Sequence, residues 1–183
     1  TGISLELFRE RNSFFKEMGF KIMAFVPSQS YKRGPVYEGL PTLEVHRHLH
    51  PVAAAQELFY EGTDIVLIGD SMASDRELKG LGSITKGEWL IPVIVYDEAK
   101  EKYMSYFSAI HKQRLDPAEN AVRSEITTSG NKEMIDIFNT VDRPKGTITL
   151  DNRHYGRYSG SLQITKKNLQ ADYRVNVLGH VCD

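Results

Sequence analysis

Helical and extended hydrophobic patterns alternate through the first half of the chain. The apolar residues from Leu5 to Met18 recur at helical spacing. They follow Ser4, a residue type that often begins helices, and Gly19 comes directly after them. Residues 20–27 are then apolar on both faces and end in a proline, which is typical of a buried parallel strand. The opening of the chain is therefore predicted to form a helix followed by a strand.

A second helix and strand follow the same order. Pro51 begins a helical segment that ends near Gly62, since proline is tolerated in a first turn. Residues 64–70 predict another buried strand, and Ser74 with Glu77 forms a capping-box start for a further helix. This alternation is that of a parallel α/β fold. Two strands cannot close a barrel, so the segment is either the tail of one or part of an open sheet.

The pattern changes after about residue 87. Residues 89–96 are strand-like but contain a proline, which indicates an edge or a strand start. A helix follows, and beyond Asp116 the chain is rich in Thr, Gly, Tyr and Val, which favours a β-rich domain. Short strands are predicted at 146–150, 161–165 and 174–178. We therefore expect two domains, at 1–87 and 88–183.

Composition narrows the class of protein. Hydrophobic residues make up 40% of the 183 residues, enough for a core, and the net charge of −1 gives no field that favours nucleic acid or an anionic membrane. No apolar run approaches the roughly 20 residues of a membrane span. The single cysteine, Cys182, excludes an internal disulfide and fits a reducing compartment, so we expect a cytoplasmic location. The chain does not begin with Met, which predicts either a fragment of a longer protein or a processed product.

Candidate catalytic residues follow the two predicted parallel strands, because sites in such folds lie at the carboxyl ends of the strands. Arg33 in the first loop suits a phosphate or carboxylate group. Glu38, Glu44 and Asp70 could act as acid, base or nucleophile. The alternative is structural: Glu44 would support a helix start, Asp70 would cap the next helix, and Arg33 with Lys32 would be solvated.

Three histidines, His46, His48 and His50, alternate near these residues. A metal site is not predicted here, because Pro51 follows directly and no nearby cysteine or closely spaced carboxylate completes a ligand set. We expect no metal and no cofactor.

Residues 151–160 form the densest polar and aromatic cluster. One interpretation is a β-hairpin, in which Asp151, Asn152 and glycine supply the turn and tyrosines pack across strands. The other is a ligand site, in which Arg157 and a tyrosine hydroxyl bind an anionic or sugar ligand. Position in the sequence leaves both open.

Four segments together resemble the MupG-like family, often labelled "outer surface protein": AFVPSQSYKRGPVYEGLPTLEVHRH, IGDSMAS, HKQRLDPAENAVRSE and TITLDNRHYGRYSGSLQI…ADYRVNVLGH. The resemblance implies an α/β fold, with the C-terminal part of a TIM barrel at 1–87 and a small cyclophilin-like β-barrel domain at 88–183. It also implies the activity of a 6-phospho-N-acetylmuramidase, a glycosidase that cleaves N-acetylmuramic acid 6-phosphate glycosides in cell-wall recycling. Family members are about twice this length, so this portion alone is expected to be inactive.

The resemblance also marks site residues without fixing their roles. It implicates Glu38, Asp70 and Glu44 as catalytic candidates. As binding candidates it implicates Arg33, His46, Arg47, Asp151, Asn152, Tyr155, Arg157 and Tyr158. Our hypothesis gives Glu38 or Asp70 one of the two carboxylate roles that a glycosidase needs, with Arg33 holding the 6-phosphate.

The expected partner is a phosphorylated amino sugar, and neither nucleic acid nor a membrane is expected. A half barrel would leave apolar surface and a strand edge uncovered, so we also expect association with another copy or with the missing barrel half. The alternative function is a phosphosugar- or peptide-binding module without chemistry.

Overall fold

The computed structural model describes residues 2–126 and 134–182. Contacts within the chain divide it into two compact units. The first is Thr1–Pro92 with Cys182–Asp183, and the second is Val93–Val181. Each unit has a hydrophobic core of its own. The domain boundary expected between residues 87 and 88 stays a prediction.

The first unit alternates helices with two parallel strands. Its elements are α1 (Leu5–Glu17), β1 (Met23–Val26), a 3-10 helix (Glu44–His46), α2 (Pro51–Tyr60), β2 (Ile65–Ile68) and α3 (Asp75–Ile84). Strands β1 and β2 pair in parallel, with Met23 opposite Ile65 and Val26 opposite Ile68. The prediction that these two stretches lie side by side and point the same way is confirmed.

The helices of this unit begin at caps that the sequence indicates. The Ser4 hydroxyl accepts a hydrogen bond from the Leu7 N–H at the start of α1. At the start of α3, Ser74 and Glu77 form the predicted capping box. Helix α2 begins at Pro51, as predicted, and the preceding histidine accepts the Val52 N–H.

The two-stranded sheet is covered on one face only within its unit. Ala24 and Val26 of β1 are fully buried against α2, where Leu58 is also fully buried. The opposite face exposes four apolar side chains, Met23, Phe25, Ile65 and Leu67. The expectation of strands buried on both faces is therefore wrong: the sequence pattern fits two covered faces, but the chain covers one.

The second unit is built on an antiparallel sheet. Its elements are β3 (Val93–Val95), α4 (Asp97–Ser108), β4 (Ala121–Arg123), β5 (Thr147–Asp151), a 3-10 helix (Arg153–Tyr158), β6 (Leu162–Thr165) and β7 (Val175–Val181). The strand order is β3-β7-β5-β6-β4, and every pair is antiparallel. The strands predicted near 146–150, 161–165 and 174–178 are confirmed, whereas the segment 89–96 forms a strand only at its end.

The predicted combination of a TIM-barrel portion and a cyclophilin-like β-barrel is wrong. Among the described residues, the first unit holds a two-stranded parallel sheet and the second a five-stranded open sheet, whose edge strands β3 and β4 do not pair with each other. The chain is a small α/β fold with two separate sheets. Two parallel strands supply too few hydrogen-bonded neighbours to curve into a closed ring.

The two faces of the second sheet differ in character. Ile148 and Leu150 of β5 pack on one face against Ala99 and Tyr103 of α4. The other β5 side chains are Thr147, Thr149 and Asp151, and they are buried as well. The sheet therefore has an apolar core face and a buried polar face.

The helices of the described residues are short. The longest, α1, has 13 residues, against the roughly 20 that span a bilayer. No helix in this part of the chain is both long and apolar enough to cross a membrane.

Candidate functional site

Asp70 holds the loop that follows β1. Its Oδ2 accepts the Ser28 N–H at 2.8 Å, and its Oδ1 accepts the Arg33 N–H at 2.9 Å. Asp70 lies just beyond the end of β2, where it was predicted, and β2 pairs with β1. Because both carboxylate oxygens bind backbone amides, Asp70 fixes the loop. The cap of the next helix is Ser74 and not Asp70, and the catalytic role of Asp70 stays a prediction.

Glu77 holds the same loop from the first turn of α3. It is 3% exposed, and it accepts the Gln29 N–H at 2.8 Å and the Ser28 hydroxyl at 3.1 Å. It also accepts the N–H and hydroxyl of Ser74 at 2.7 and 2.9 Å. Burial alone would raise the pKa of Glu77, but these hydrogen bonds outweigh it and lower the pKa. The sequence revealed Glu77 only as a helix cap, since nothing local links it to a loop some fifty residues earlier.

Two glycines let the far end of the loop lie against the strand ends. A β-carbon at Gly69 would collide with the backbone carbonyl of Leu40. Gly39 has a φ of +80°, and a β-carbon there would lie 3.0 Å from Pro27 Cβ and 3.5 Å from Asp70 Oδ2. The residue that follows Glu38 therefore lies close to Asp70.

Arg47 and Glu44 fasten this end of the loop. Arg47 donates to both carboxylate oxygens of Glu44, and its Nη1 donates to the carbonyls of Glu38 and Gly39, both at 3.1 Å. Glu44 also accepts the Gly2 N–H at 2.6 Å. The hydrogen bond from Arg47, and then that from Gly2, lowers the pKa of Glu44 to about 2. Glu44 is thus ionised at neutral pH and is unsuited to donate a proton.

Arg33 and Glu38 are the site candidates that this loop presents to solvent. Both are exposed. Within residues 2–126 and 134–182, neither side chain forms a hydrogen bond or an ion pair with another side chain. The loop thus fixes its backbone through Asp70, Glu77 and Arg47 and leaves a cation and a carboxylate available to a ligand.

The histidines have separate structural surroundings. His46 is fully buried, and its Nε2 hydrogen-bonds with Oε2 of Glu57 at 2.9 Å. His50 caps α2, and burial lowers its pKa. The His46 side chain therefore has no exposed surface through which it could bind a ligand as predicted.

Two of the binding candidates in the second unit lie inside the fold. Asp151 ends β5 and is 2% exposed; its Oδ2 accepts from Gln163 Nε2 at 3.0 Å, and its Oδ1 has no partner among the described residues. Burial raises the pKa of Asp151 to about 7, although Arg123 and Gln163 act against the rise. Asn152 is wholly buried, and its Nδ2 donates to the carbonyl of Tyr173 at 2.8 Å and to another asparagine at 2.9 Å.

The other three candidates lie on the 3-10 helix that joins β5 to β6. Arg157 is exposed, and Tyr155 and Tyr158 are half-buried. The rings of the two tyrosines meet edge to face, with centroids 6.1 Å apart. The predicted hairpin connection is present, since β5 and β6 pair antiparallel, but its tyrosines pack along the 3-10 helix.

Comparisons with known proteins identify one family. Two sequence profiles match in order: that described as "6-phospho-N-acetylmuramidase, N-terminal" matches residues 1–83, and its C-terminal counterpart matches residues 89–183. No protein of curated function matches the chain.

Two solved structures are similar over the whole chain. A conserved protein of unknown function from a locus in Enterococcus faecalis is 36% identical, with a TM-score of 0.76, and the match covers 100% of this chain and 50% of that one. An uncharacterized B. cereus protein is 31% identical, with a TM-score of 0.77, and 54% of it is covered. The chain spans about half the length of these structures. The resemblance inferred from the sequence is confirmed, and the chain belongs to the 6-phospho-N-acetylmuramidase family.

Proposed function

We propose that the protein containing this chain is a glycoside hydrolase that cleaves N-acetylmuramic acid 6-phosphate glycosides. Family membership supports the reaction class. The observation that carries the proposal for this chain is the fixed loop after β1, which exposes Arg33 and Glu38 at the carboxyl ends of β1 and β2. Sites of parallel α/β folds lie at these strand ends.

Arg33 is proposed to bind the 6-phosphate. Its backbone N–H is fixed by Asp70 at 2.9 Å, so the side chain projects from an ordered position. A guanidinium can donate two parallel charge-assisted hydrogen bonds to a phosphate. Since no acidic side chain in the described part of the chain pairs with Arg33, its charge is available to the substrate.

Glu38 is proposed as one of the two carboxyl groups that flank the scissile bond in a glycosidase. Of the three carboxylates considered from the sequence, Asp70 is bound to backbone amides and Glu44 to Arg47. Glu38 is exposed, and Arg47 holds its carbonyl at 3.1 Å, so its backbone is ordered while its carboxyl group remains accessible. We assign Asp70 the role of positioning this loop.

Turnover separates a hydrolase from a phosphosugar-binding module. The full-length protein that contains this chain is incubated with a disaccharide that carries N-acetylmuramic acid 6-phosphate, and release of the phosphorylated sugar is measured. We expect hydrolysis by the wild type and a loss of about 100-fold or more in kcat for Glu38→Gln, as for other removed acid–base groups. The control Glu10→Gln, at an exposed position of α1, should keep wild-type activity.

Two results would contradict the proposal in different ways. Binding of the disaccharide without any hydrolysis would favour the non-catalytic module. Hydrolysis that is equally fast in the wild type and in Glu38→Gln would show that Glu38 is not one of the two catalytic carboxyl groups. The proposed reaction class would still stand.

A further inference from the structure

The second unit holds an exposed arginine in a defined position. Arg157 lies on the 3-10 helix Arg153–Tyr158, and its Nη2 donates to the Tyr158 hydroxyl at 2.7 Å. The guanidinium carbon lies 4.8 Å from the centre of the Tyr158 ring. The hydrogen bond and the cation–π contact restrict a side chain that would otherwise sample many rotamers. Arg157 is therefore ordered and still exposed.

The charge of Arg157 is not neutralised by an acidic side chain in the described part of the chain, unlike that of its neighbours. Arg153, on the same 3-10 helix, pairs with Asp136 at 3.4 Å. Arg174 pairs with Asp172 through two hydrogen bonds of 2.9 and 2.8 Å. The surface around Arg157 thus presents an oriented positive charge that can bind an anionic ligand.

Aromatic rings flank this charge. Tyr155 packs edge to face on Tyr158, and the Arg174 guanidinium lies 4.7 Å from the centre of the Tyr155 ring, so two contacts restrict that ring. A tyrosine offers an apolar ring and a polar hydroxyl. These features suit a sugar ring, which carries both C–H groups and hydroxyls.

We propose that Arg157, Tyr155 and Tyr158 form a binding surface for an anionic amino sugar, in which Arg157 pairs with the sugar's carboxylate or phosphate. The inference rests on the proposed function for the class of sugar. It concerns binding alone, and the surface needs no hydrolysis to be observed.

Calorimetric titration of the full-length protein with three monosaccharides tests this surface. N-acetylmuramic acid carries a carboxylate, N-acetylglucosamine 6-phosphate carries a phosphate, and N-acetylglucosamine carries neither. Arg157→Met should weaken binding of at least one anionic sugar by about tenfold or more, and the sugar that is affected identifies the anion. Arg153→Met is the matched control, since Arg153 lies on the same helix and is already paired.

The inference is overturned if the wild type binds neither anionic sugar, if Arg157→Met leaves both affinities unchanged, or if Arg153→Met causes an equal loss. An equal loss of affinity of Arg157→Met for neutral N-acetylglucosamine would also contradict the inference, because that sugar carries no anionic group for Arg157 to bind. Binding that depends on Arg157 in a protein without hydrolase activity would support this surface and contradict the proposed reaction. Hydrolysis with affinities insensitive to Arg157 would support the proposed reaction and contradict this surface.

Discussion

Asp151→Asn should change how the stability of the second unit depends on pH. Asp151 is 2% exposed, and Gln163 is its hydrogen-bond partner. Burial raises its pKa from the ordinary 3.8 to about 7, with Arg123 and Arg143 opposing and Asp172 adding to the rise. The folded state therefore holds a proton on Asp151 that the unfolded chain releases near pH 4. Asparagine is a neutral analogue of this protonated acid.

The sign and size of the effect follow from the two pKa values. Below about pH 4 the carboxyl is protonated in both states, and its stabilising contribution is fully present. As the pH rises from about 4 to about 7, the unfolded state ionises first, and the contribution is lost. The whole difference corresponds to about 4 kcal/mol, of which roughly 2–3 kcal/mol falls between pH 5 and pH 8.

Urea denaturation at about pH 5 and about pH 8 measures this loss. Between the two pH values, the wild type should lose roughly 2–3 kcal/mol more unfolding free energy than Asp151→Asn. The control Asp116→Asn removes an exposed carboxylate that pairs with Arg114, and it should leave the large pH-dependent loss in place. Parallel pH dependences for the wild type and Asp151→Asn would refute a buried, proton-binding Asp151.

Two further predictions concern the loop after β1. Gly69→Ala should destabilise the first unit by about 1–3 kcal/mol, because its β-carbon would collide with Leu40; Gly82→Ala, in open space on α3, should instead stabilise it by about 0.5–1 kcal/mol. Urea denaturation that gives both variants the same sign would contradict the close approach at Gly69. Glu77→Gln should cost about 1–3 kcal/mol, because one acceptor oxygen becomes an NH2 group, which cannot accept the N–H of Gln29 or that of Ser74. A wild-type denaturation midpoint for Glu77→Gln would show that this carboxylate does not hold the loop.

The local part of the fold could be predicted from the sequence. The capping pair Ser74 and Glu77 marks a helix start, and the apolar runs that became β1 and β2 mark two neighbouring parallel strands. Such signals act within a few residues, or through a burial period that is visible along the chain. Which face of a sheet remains exposed depends on what else packs there, so the exposure of Phe25 and Leu67 could not be predicted.

The barrel prediction failed for a different reason. The resemblance implied the fold of proteins that are about twice as long, whereas this chain spans about half the length of its solved relatives. Within the described residues, one unit has two parallel strands and the other has an open antiparallel sheet. A resemblance over part of a protein identifies the family correctly but does not specify how many strands a given stretch supplies.

The strand ends that the loop follows were predicted correctly, whereas the roles of the site residues stay predictions. Loop position and residue type indicated Arg33, Glu38 and Asp70 together. Asp70 binds the loop through two hydrogen bonds whose partners are separated from it by 42 and 37 positions in the sequence. No local pattern could therefore reveal them. Asp151 was interpreted either as part of a hairpin turn or as part of a ligand site, whereas the structure buries it at the end of β5.

The selectivity of Arg33→Met tests the central claim, that the fixed loop after β1 recognises a phosphorylated sugar. kcat/KM is measured in the full-length protein for the disaccharide with and without its 6-phosphate. Loss of two charge-assisted hydrogen bonds is worth about 3 kcal/mol, so kcat/KM should fall about 100-fold for the phosphorylated substrate and remain near wild type for the other. Equal losses on both substrates, or none on either, would contradict the assignment of Arg33 and with it the proposed site.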